Sequence, residues 1–461
     1  MSNRILQTLD QLREYAQGKG YEIALFYHEE DSYLMRFANS AISLNTNEHL
    51  IRLDITAYSG RKRATYSLVT DLEKIDEMRQ GIDTAAEMVE HSQPLTYQPT
   101  IPVLTESFVD GTGYDATLAQ MSNEEKLTCF NTAVHGLETD DLKLSGIFSC
   151  GSNIIALTNT KSEHNLYFRT SDAQITAVLA HKKLKWEVIA EQSAQNRSEL
   201  DSDRLQQELS FLVERYESDP PVQLPLGTFD IVFGPAATAE MISFMNWIGF
   251  DGGLMKRGYS FLSEENAGKK VFSQQFTLLD DPGQLQTFPF NRDFTGMVRN
   301  PYPIFQEGVF QGFLWEQDDA DEFDAEPTGH TVTHKSLMLH GGDQDINSLQ
   351  ELVTMPRDND VLYIPFLHYM NIVNPSKGII TASSRFGALW LGKDGSVSIP
   401  YNVRLTQSLL DIFGDKVAWL SRQTIPYNTS QSYGARNPTA IIVPKFVRVN
   451  DLEISHSNPS Y

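Results

Sequence analysis

The chain has 461 residues, 41% hydrophobic and 21% charged, an ordinary globular composition that excludes wholesale disorder and suggests about two or three domains. Its formal net charge of −23 repels a phosphate backbone, so direct binding of nucleic acid is not expected. Cys129 and Cys150 make no disulfide framework, the first residues lack an apolar signal core, and the most apolar run, 361–373, is broken by Pro365, His368 and Asn371. A cytoplasmic protein without membrane contact is therefore expected.

Residues 4–18 carry Leu6, Leu9, Leu12 and Tyr15 or Ala16 at helical spacing. Three strand-like runs follow at 21–27, 32–44 and 50–59, then the basic turn Arg61-Lys62-Arg63 and a strand near 64–69. Thr70-Asp-Leu-Glu73 has the form of a capping box opening a helix with Leu72, Ile75, Ile82, Ala86 and Val89 inward. This order suggests a compact α+β unit. Residues 92–116, rich in Pro, Thr and Gly, read as a linker or long loop. A second capping box, Ser122-Asn-Glu-Glu125, opens a helix with Leu127, Phe130 and Val134 on one face. The pattern from 142 to 189 is strand-like, with turns near Gly151-Ser152-Asn153 and 160–163. A helix at 202–217 spaces Leu205, Leu209, Leu212 and Tyr216 for burial. Asp219-Pro220-Pro221 stops it and sets the expected boundary between residues 1–220 and 221–461.

The second part opens with a strand at 228–233. A helix from Pro235, capped by Gly234, runs to about 250 and is ended by Gly252-Gly253. Strands then dominate: 271–279, 295–298, 304–315, 361–364, 378–381, 387–392, 397–400 and 440–449. Glu307-Gly308 and Asp394-Gly395 are hairpin turn signals, and helices are predicted at 347–354 and 404–413. The fold class expected is α+β: an N-terminal α+β domain, then a mostly antiparallel, curved or barrel-like β domain with a few helices.

Walker A loops, Gly-x-Ser-x-Gly elbows and dinucleotide fingerprints are absent from the sequence. His28-Glu29 and His181 have no partner spacing that completes a protease motif. His330-Thr-Val-Thr-His334, followed by His340 and Asp343, has the four-residue spacing that binds zinc on a helix. Its β-branched centre after Pro327 and Gly329 favours a strand or loop, where residues four apart lie ~13 Å apart. Residues 316–326 hold seven acidic side chains in eleven positions and read as a solvated loop, without the glycine and terminal glutamate of an EF-hand. On burial alone, the 235–250 helix reads as a core helix with Met241, Phe244, Met245 and Ile248 inside.

The stretch from Pro235 to Gly258 resembles the metal-binding helix of the TldD/PmbA family, once named as modulators of DNA gyrase. In the TldD branch that helix carries His-Glu-x-x-x-His a fixed distance before an Arg-Arg-Gly turn. With Lys256-Arg257-Gly258 as that turn, the motif positions fall on Ser243, Phe244 and Ile248, which supply neither a set of zinc ligands nor a base. Three further blocks resemble the family: the hairpin Tyr302–Leu314, Pro327-Thr-Gly329 in place of its Ser-Thr-Gly loop, and Ser384–Ser396 leading into a late hairpin. The active branch also takes a cysteine ligand from its C-terminal region. Residues 430–438 contain none, and none occurs after Cys150.

The chain thus resembles the PmbA/TldE branch, which lacks the metal motif. That resemblance implies a subunit without activity, metal or other cofactor of its own. It would pair with a TldD-like zinc metallopeptidase in the cytoplasm to trim or degrade peptides, including leader peptides of modified antibacterial peptides. Its role would be to shape the chamber and hold an extended peptide by strand addition. Arg257 and Arg385 are the candidate peptide contacts, and a homodimer is a further expectation. Two alternatives stay open: an independent metal-dependent hydrolase using His330, His334 and His340, and a non-proteolytic regulator of DNA gyrase.

Overall fold

The computed structural model describes residues 2–293, 295–330, 335–431 and 436–458. His334, and residues 432–435 of the stretch compared with the family's cysteine region, lie outside the described residues. The N-terminal elements are α1 (Ser2–Gly18), β1 (Glu22–Ala38), β2 (Ala41–Ser59), β3 (Lys62–Thr70), α2 (Ile75–His91), β4 (Phe108–Asp110), α3 (Ala116–Ala119), α4 (Asn123–Ala133), β5 (Leu142–Asn159), β6 (Leu166–His181), β7 (Glu187–Ala194) and α5 (Ser202–Ser218). Their strands form one sheet in the order β3-β2-β1-β5-β6-β4, with β7 added to β6. Near one end, Ile5, Leu9 and Leu12 of α1 and Ile82 of α2 pack with Ile23, Leu25 and Ile55. Near the other, Phe130 of α4 and Leu205 and Leu209 of α5 pack with Phe148, Ile175 and Val188. Each such side chain contributes about 1.5–3 kcal/mol on burial, which is why the helical spacing was legible.

Several local expectations fail for identifiable reasons. The predicted break at 28–31 is absent, because Glu29 and Glu30 stay in β1 as buried, bonded groups. Glu29 accepts from Tyr27 Oη at 2.6 Å and Glu30 from Arg52 at 3.4 Å. The turn comes instead at Asn39-Ser40, both left-handed (φ 51° and 62°). Gly151-Ser152-Asn153 also fails to turn and continues β5 opposite Ser32, Asp31 and Glu30. Gly151 is needed there because the Asp31 carbonyl and the Arg436 guanidinium occupy the space a Cβ would take. The Thr70–Glu73 box does not form. Thr70 is held in the β2–β3 ladder opposite Ile51, and α2 begins only at Ile75. The Ser122 box does form, with Glu125 N donating to Ser122 Oγ at 3.2 Å and Ser122 N to Glu125 Oε2 at 2.8 Å. Residues 92–116 are not a loose linker: Ile101 and Leu104 are buried and β4 runs parallel to β6.

The C-terminal elements are β8 (Pro221–Val222), β9 (Gly227–Phe233), α6 (Pro235–Ile248), α7 (Gly252–Lys256), β10 (Leu278–Asp280), β11 (Tyr302–Gln306), β12 (Val309–Phe310), α8 (Gln317–Phe323), β13 (Leu337–Leu339), α9 (Leu349–Thr354), β14 (Val361–Ile364), β15 (Phe366–Asn374), β16 (Ile379–Arg385), β17 (Leu389–Leu391), β18 (Val397–Pro400), β19 (Asn402–Ser408), α10 (Leu409–Ile412), β20 (Val417–Leu420), β21 (Thr424–Asn428), β22 (Ala440–Pro444) and β23 (Val447–Asn458). One sheet runs β12-β11-β10-β13-β22-β21. The larger runs β15-β16-β19-β23-β9-β14-β17-β18-β8, with β20 also on β23. This part is a curled, half-barrel β structure with α6 packed into its core, among Ile231, Phe233, Phe272, Phe276, Phe305, Leu405 and Val447. The molecule is therefore α+β throughout.

Here too the structure corrects details. Residues 271–277 and 295–298 form no strand. Residues 404–408 of the predicted 404–413 helix belong to strand β19, which turns Val403 and Leu405 inward, and only 409–412 are helical. Gly252-Gly253 do not end α6, which stops at Ile248; they open α7, whose cap is Asp251 accepting from Leu254 N at 2.8 Å. Trp315 and Asp319 press on the two glycines where side chains would stand. Among the described residues, no helix is long and apolar enough to cross a membrane.

Candidate functional site

The helix α6 is built to be enclosed. Pro235 fits its first position, and small residues, Ala236 to Ala239, bring its first turns close to neighbouring strands. Thirteen of its fourteen residues alternate between two fates only. Ala236, Ala237, Thr238, Ala239, Met241, Ile242, Met245, Asn246 and Ile248 are buried. Glu240, Ser243, Phe244 and Trp247 recur at i, i+3, i+4 and i+7 and form the one open stripe. Trp247 is 52% exposed, and the half-buried Phe244 ring lies 5.9 Å from it. Ser243 and Phe244 thus sit on the open stripe, whereas Ile248 is inside. Phe244 is only half-buried, not fully buried as its apolar character suggested, because it sits at the stripe's edge.

Strand β15 runs beside this helix. Ala237 N donates to the carbonyl of Pro365, just before β15, at 3.2 Å. At the far end Gly249 abuts Phe261, which in turn packs on Gly378, just beyond the turn that follows β15. β15 pairs with β16 on one side and is the last strand of its sheet on the other. Its register shifts between His368 and Asn371, where Tyr369 is left-handed (φ 51°) and 73% exposed; Val373 is 56% exposed. Sequence reasoning missed β15 because this bulge breaks the alternation, leaving only Leu367, Met370 and Ile372 as an irregular apolar trace. An edge strand offers unpaired backbone N–H and C=O groups to another chain.

Of the two candidate contacts, Arg385 lies at this site. It donates to Glu187 at 2.8 and 3.1 Å, meets His368 Nε2 of β15 at 3.2 Å and stacks 4.4 Å from the Phe386 ring centre. Burial and the Arg385 cation push the His368 imidazolium down, so a neutral ring accepts from the guanidinium. Arg257 is committed elsewhere, to Asp319 at 2.8 Å and to Glu322 on α8. Residues 317–323 are therefore a helix rather than a solvated loop. Asp318 pairs with Arg63 of β3, and Asp321 accepts from Thr100 N at 2.7 Å and Thr100 Oγ1 at 3.0 Å. The acidic run docks α7 against the N-terminal sheet, with cations of two other elements offsetting its charge.

Of the rival site's histidines, His330 and His340 are among the described residues, and they stand apart. His330 is 2% exposed and lies 3.5 Å from Asp280, which Arg299 and Ser336 N also hold, at 2.7 and 2.6 Å. Burial pushes its imidazolium down. His340 is exposed and its N–H meets Thr277, three positions along from Asp280 and so roughly 10 Å away. Among the described residues, no group of three His, Cys, Asp or Glu side chains is placed to hold a metal ion.

A cavity of about 110 Å³ lies between β7 and α5 on one side and β21, Lys445-Phe446 and the first turn of α6 on the other. Glu191 faces it, and burial, with Glu208 nearby, raises that carboxyl to about 7. Tyr427 and Tyr363 share the lining and are also held protonated by burial.

Residues 226–456, just over half of the chain, match the model of the PmbA/TldA metallopeptidase C-terminal domain. A search of curated protein sequences gives no match. Among solved structures, TldE from Thermococcus kodakarensis superposes with a TM-score of 0.83 at 14% identity, covering 97% of this chain and 100% of that one. A protein of Thermotoga maritima named as a candidate modulator of a DNA gyrase gives 0.75 at 15% identity over 97% and 99%. Another so named, from Bacteroides thetaiotaomicron, gives 0.71 at 14% over 96% and 98%. The half-barrel with its enclosed helix is thus the fold of these proteins, and the chain belongs to the PmbA/TldD metallopeptidase family.

Proposed function

We propose that this PmbA/TldE-like chain is a non-catalytic subunit that works with a TldD-like zinc metallopeptidase in cytoplasmic peptide processing or degradation. One observation carries the reading. The helix on which the catalytic branch places its metal motif here turns Ser243, Phe244 and Trp247 outward beside an unpaired strand edge. An extended peptide added to β15 would gain main-chain hydrogen bonds, each worth about 0.5–1.5 kcal/mol net. Trp247, Phe244, Tyr369 and Val373 supply apolar contact for its side chains. The zinc, the activated water and the base belong to the partner, and this chain's part is to fix the substrate's path.

A Trp247→Glu/Tyr369→Glu variant tests the groove. Both side chains are exposed, so the fold is retained, and the loss of apolar contact is expected to weaken binding of an unfolded, fluorescein-labelled peptide by about tenfold or more. Anisotropy titration reads it; unchanged affinity in the double variant would remove β15 and α6 from the peptide's path.

A further inference from the structure

The hairpin joining β6 to β7 reads His181-Lys-Lys-Leu-Lys-Trp186, a basic tip in a chain of net charge −23. It overhangs a cleft of about 580 Å³ whose other wall is Arg385, Phe386, Tyr401 and Asn402. Lys183 is neutralised by Asp141 at 2.6 Å. Lys143, Lys182 and Lys185 line the cleft, and among the described residues none of them has an ion-pair partner. Of the carboxylates there, Glu187 is held by Arg385 at 2.8 Å and Asp219 by Arg215 at 3.5 Å, which leaves Glu217 against three lysines.

Apolar surface is interleaved with this charge. Leu184 is 63% exposed at the tip, and Trp186, Tyr216 and Phe386 line the walls. Two side-chain-bearing residues on opposite walls, Lys185 (φ 63°) and Phe386 (φ 59°), are held left-handed. Such conformations are strained for residues with a side chain and collect at functional surfaces. The cleft also adjoins the groove, because Arg385 pairs across the ladder with Phe366 at the start of β15 and bonds His368.

We propose that this cleft receives an acidic segment of the peptide whose extended part lies along β15. Glutamate or aspartate carboxylates would meet Lys143, Lys182 and Lys185, and neighbouring apolar side chains would rest on Leu184 and Trp186. The proposal rests on the reading of the chain as a peptide-holding subunit and names the substrate class it selects. A polyphosphate chain is a poorer fit, since the acidic remainder of the surface repels it along its length.

Anisotropy titrations of the full chain separate the two ideas. The probes are a fluorescein-labelled peptide with a glutamate run and the same peptide with glutamines. The glutamate peptide is expected to bind about tenfold more tightly at low salt, the combined effect of several exposed ion pairs, and the preference shrinks as salt rises. Lys143→Gln/Lys182→Gln/Lys185→Gln, all surface changes, is expected to abolish the preference and leave glutamine-peptide binding unchanged. Equal binding of both peptides by the unaltered chain overturns the acidic cleft alone, as does a preference that survives the triple change or equal competition by an oligothymidine. Glutamine-peptide binding that is absent, or that Trp247→Glu/Tyr369→Glu leaves unchanged, overturns the groove instead.

Discussion

Replacing Arg436 by methionine is expected to destabilise the protein by about 3–5 kcal/mol, one of the largest effects available from a single substitution. Arg436 is fully buried and donates to both oxygens of Asp172, at 2.8 and 2.6 Å, and to Ser149 Oγ at 3.0 Å. Its backbone N–H reaches Glu30. These contacts fasten a residue near the end of the chain onto β1, β5 and β6 of the N-terminal sheet. The attraction of the pair is largely offset by the cost of taking both ions out of water. Removing one partner leaves Asp172 buried and uncompensated, and that desolvation cost is what the variant exposes. A second change, Asp172→Leu, should restore part of the loss. Urea midpoints of the three proteins measure this; a single variant as stable as the parent would show that the pair does not hold the two parts together.

Glu191→Gln should act in the opposite direction, and only at higher pH. Burial, then Glu208, raises the folded carboxyl from 4.5 to about 7. Between those values the folded state keeps a proton that the unfolded state has lost. Stability therefore falls as pH rises through this window and is lowest above 7. The full difference is about 3 kcal/mol at most. Glutamine carries no charge at either pH. The variant should match the parent below pH 4.5 and exceed it by up to that amount at pH 8, in thermal melts followed across the range. Parallel pH profiles for the two proteins would mean that Glu191 ionises freely in its cavity.

Much of the fold was legible because burial patterns were regular. Leu205, Leu209 and Leu212 marked α5, and the Gly308 and Gly395 turns closed the hairpins expected of them. Errors arose where tertiary partners overrode local signals. Glu29 and Glu30 looked like a turn but are held inside a strand, where Tyr27 donates to Glu29 and Arg52 to Glu30. The acidic run at 316–326 looked solvated until Arg63, Arg257 and Thr100, distant in sequence, supplied its partners. For the site, the enclosed character of α6 was readable from Met241, Met245 and Ile248, all buried as their spacing implied. The neighbouring edge strand was not, because the bulge at Tyr369 erases its period of two. The basic hairpin at 181–186 was visible as sequence, but nothing local shows that Arg385 and Tyr401 face it across a cleft.

If this chain guides peptide to another subunit's zinc, as proposed, the activity to measure is hydrolysis of an unfolded peptide by the purified chain, by a TldD-like subunit carrying His-Glu-x-x-x-His, and by the mixture. The expected result is no hydrolysis by this chain alone, hydrolysis by the mixture, and loss of it when the partner's motif glutamate is changed to glutamine. Sustained, chelator-sensitive hydrolysis by this chain alone, lost in a His330→Ala variant, would contradict the account and place the chemistry here.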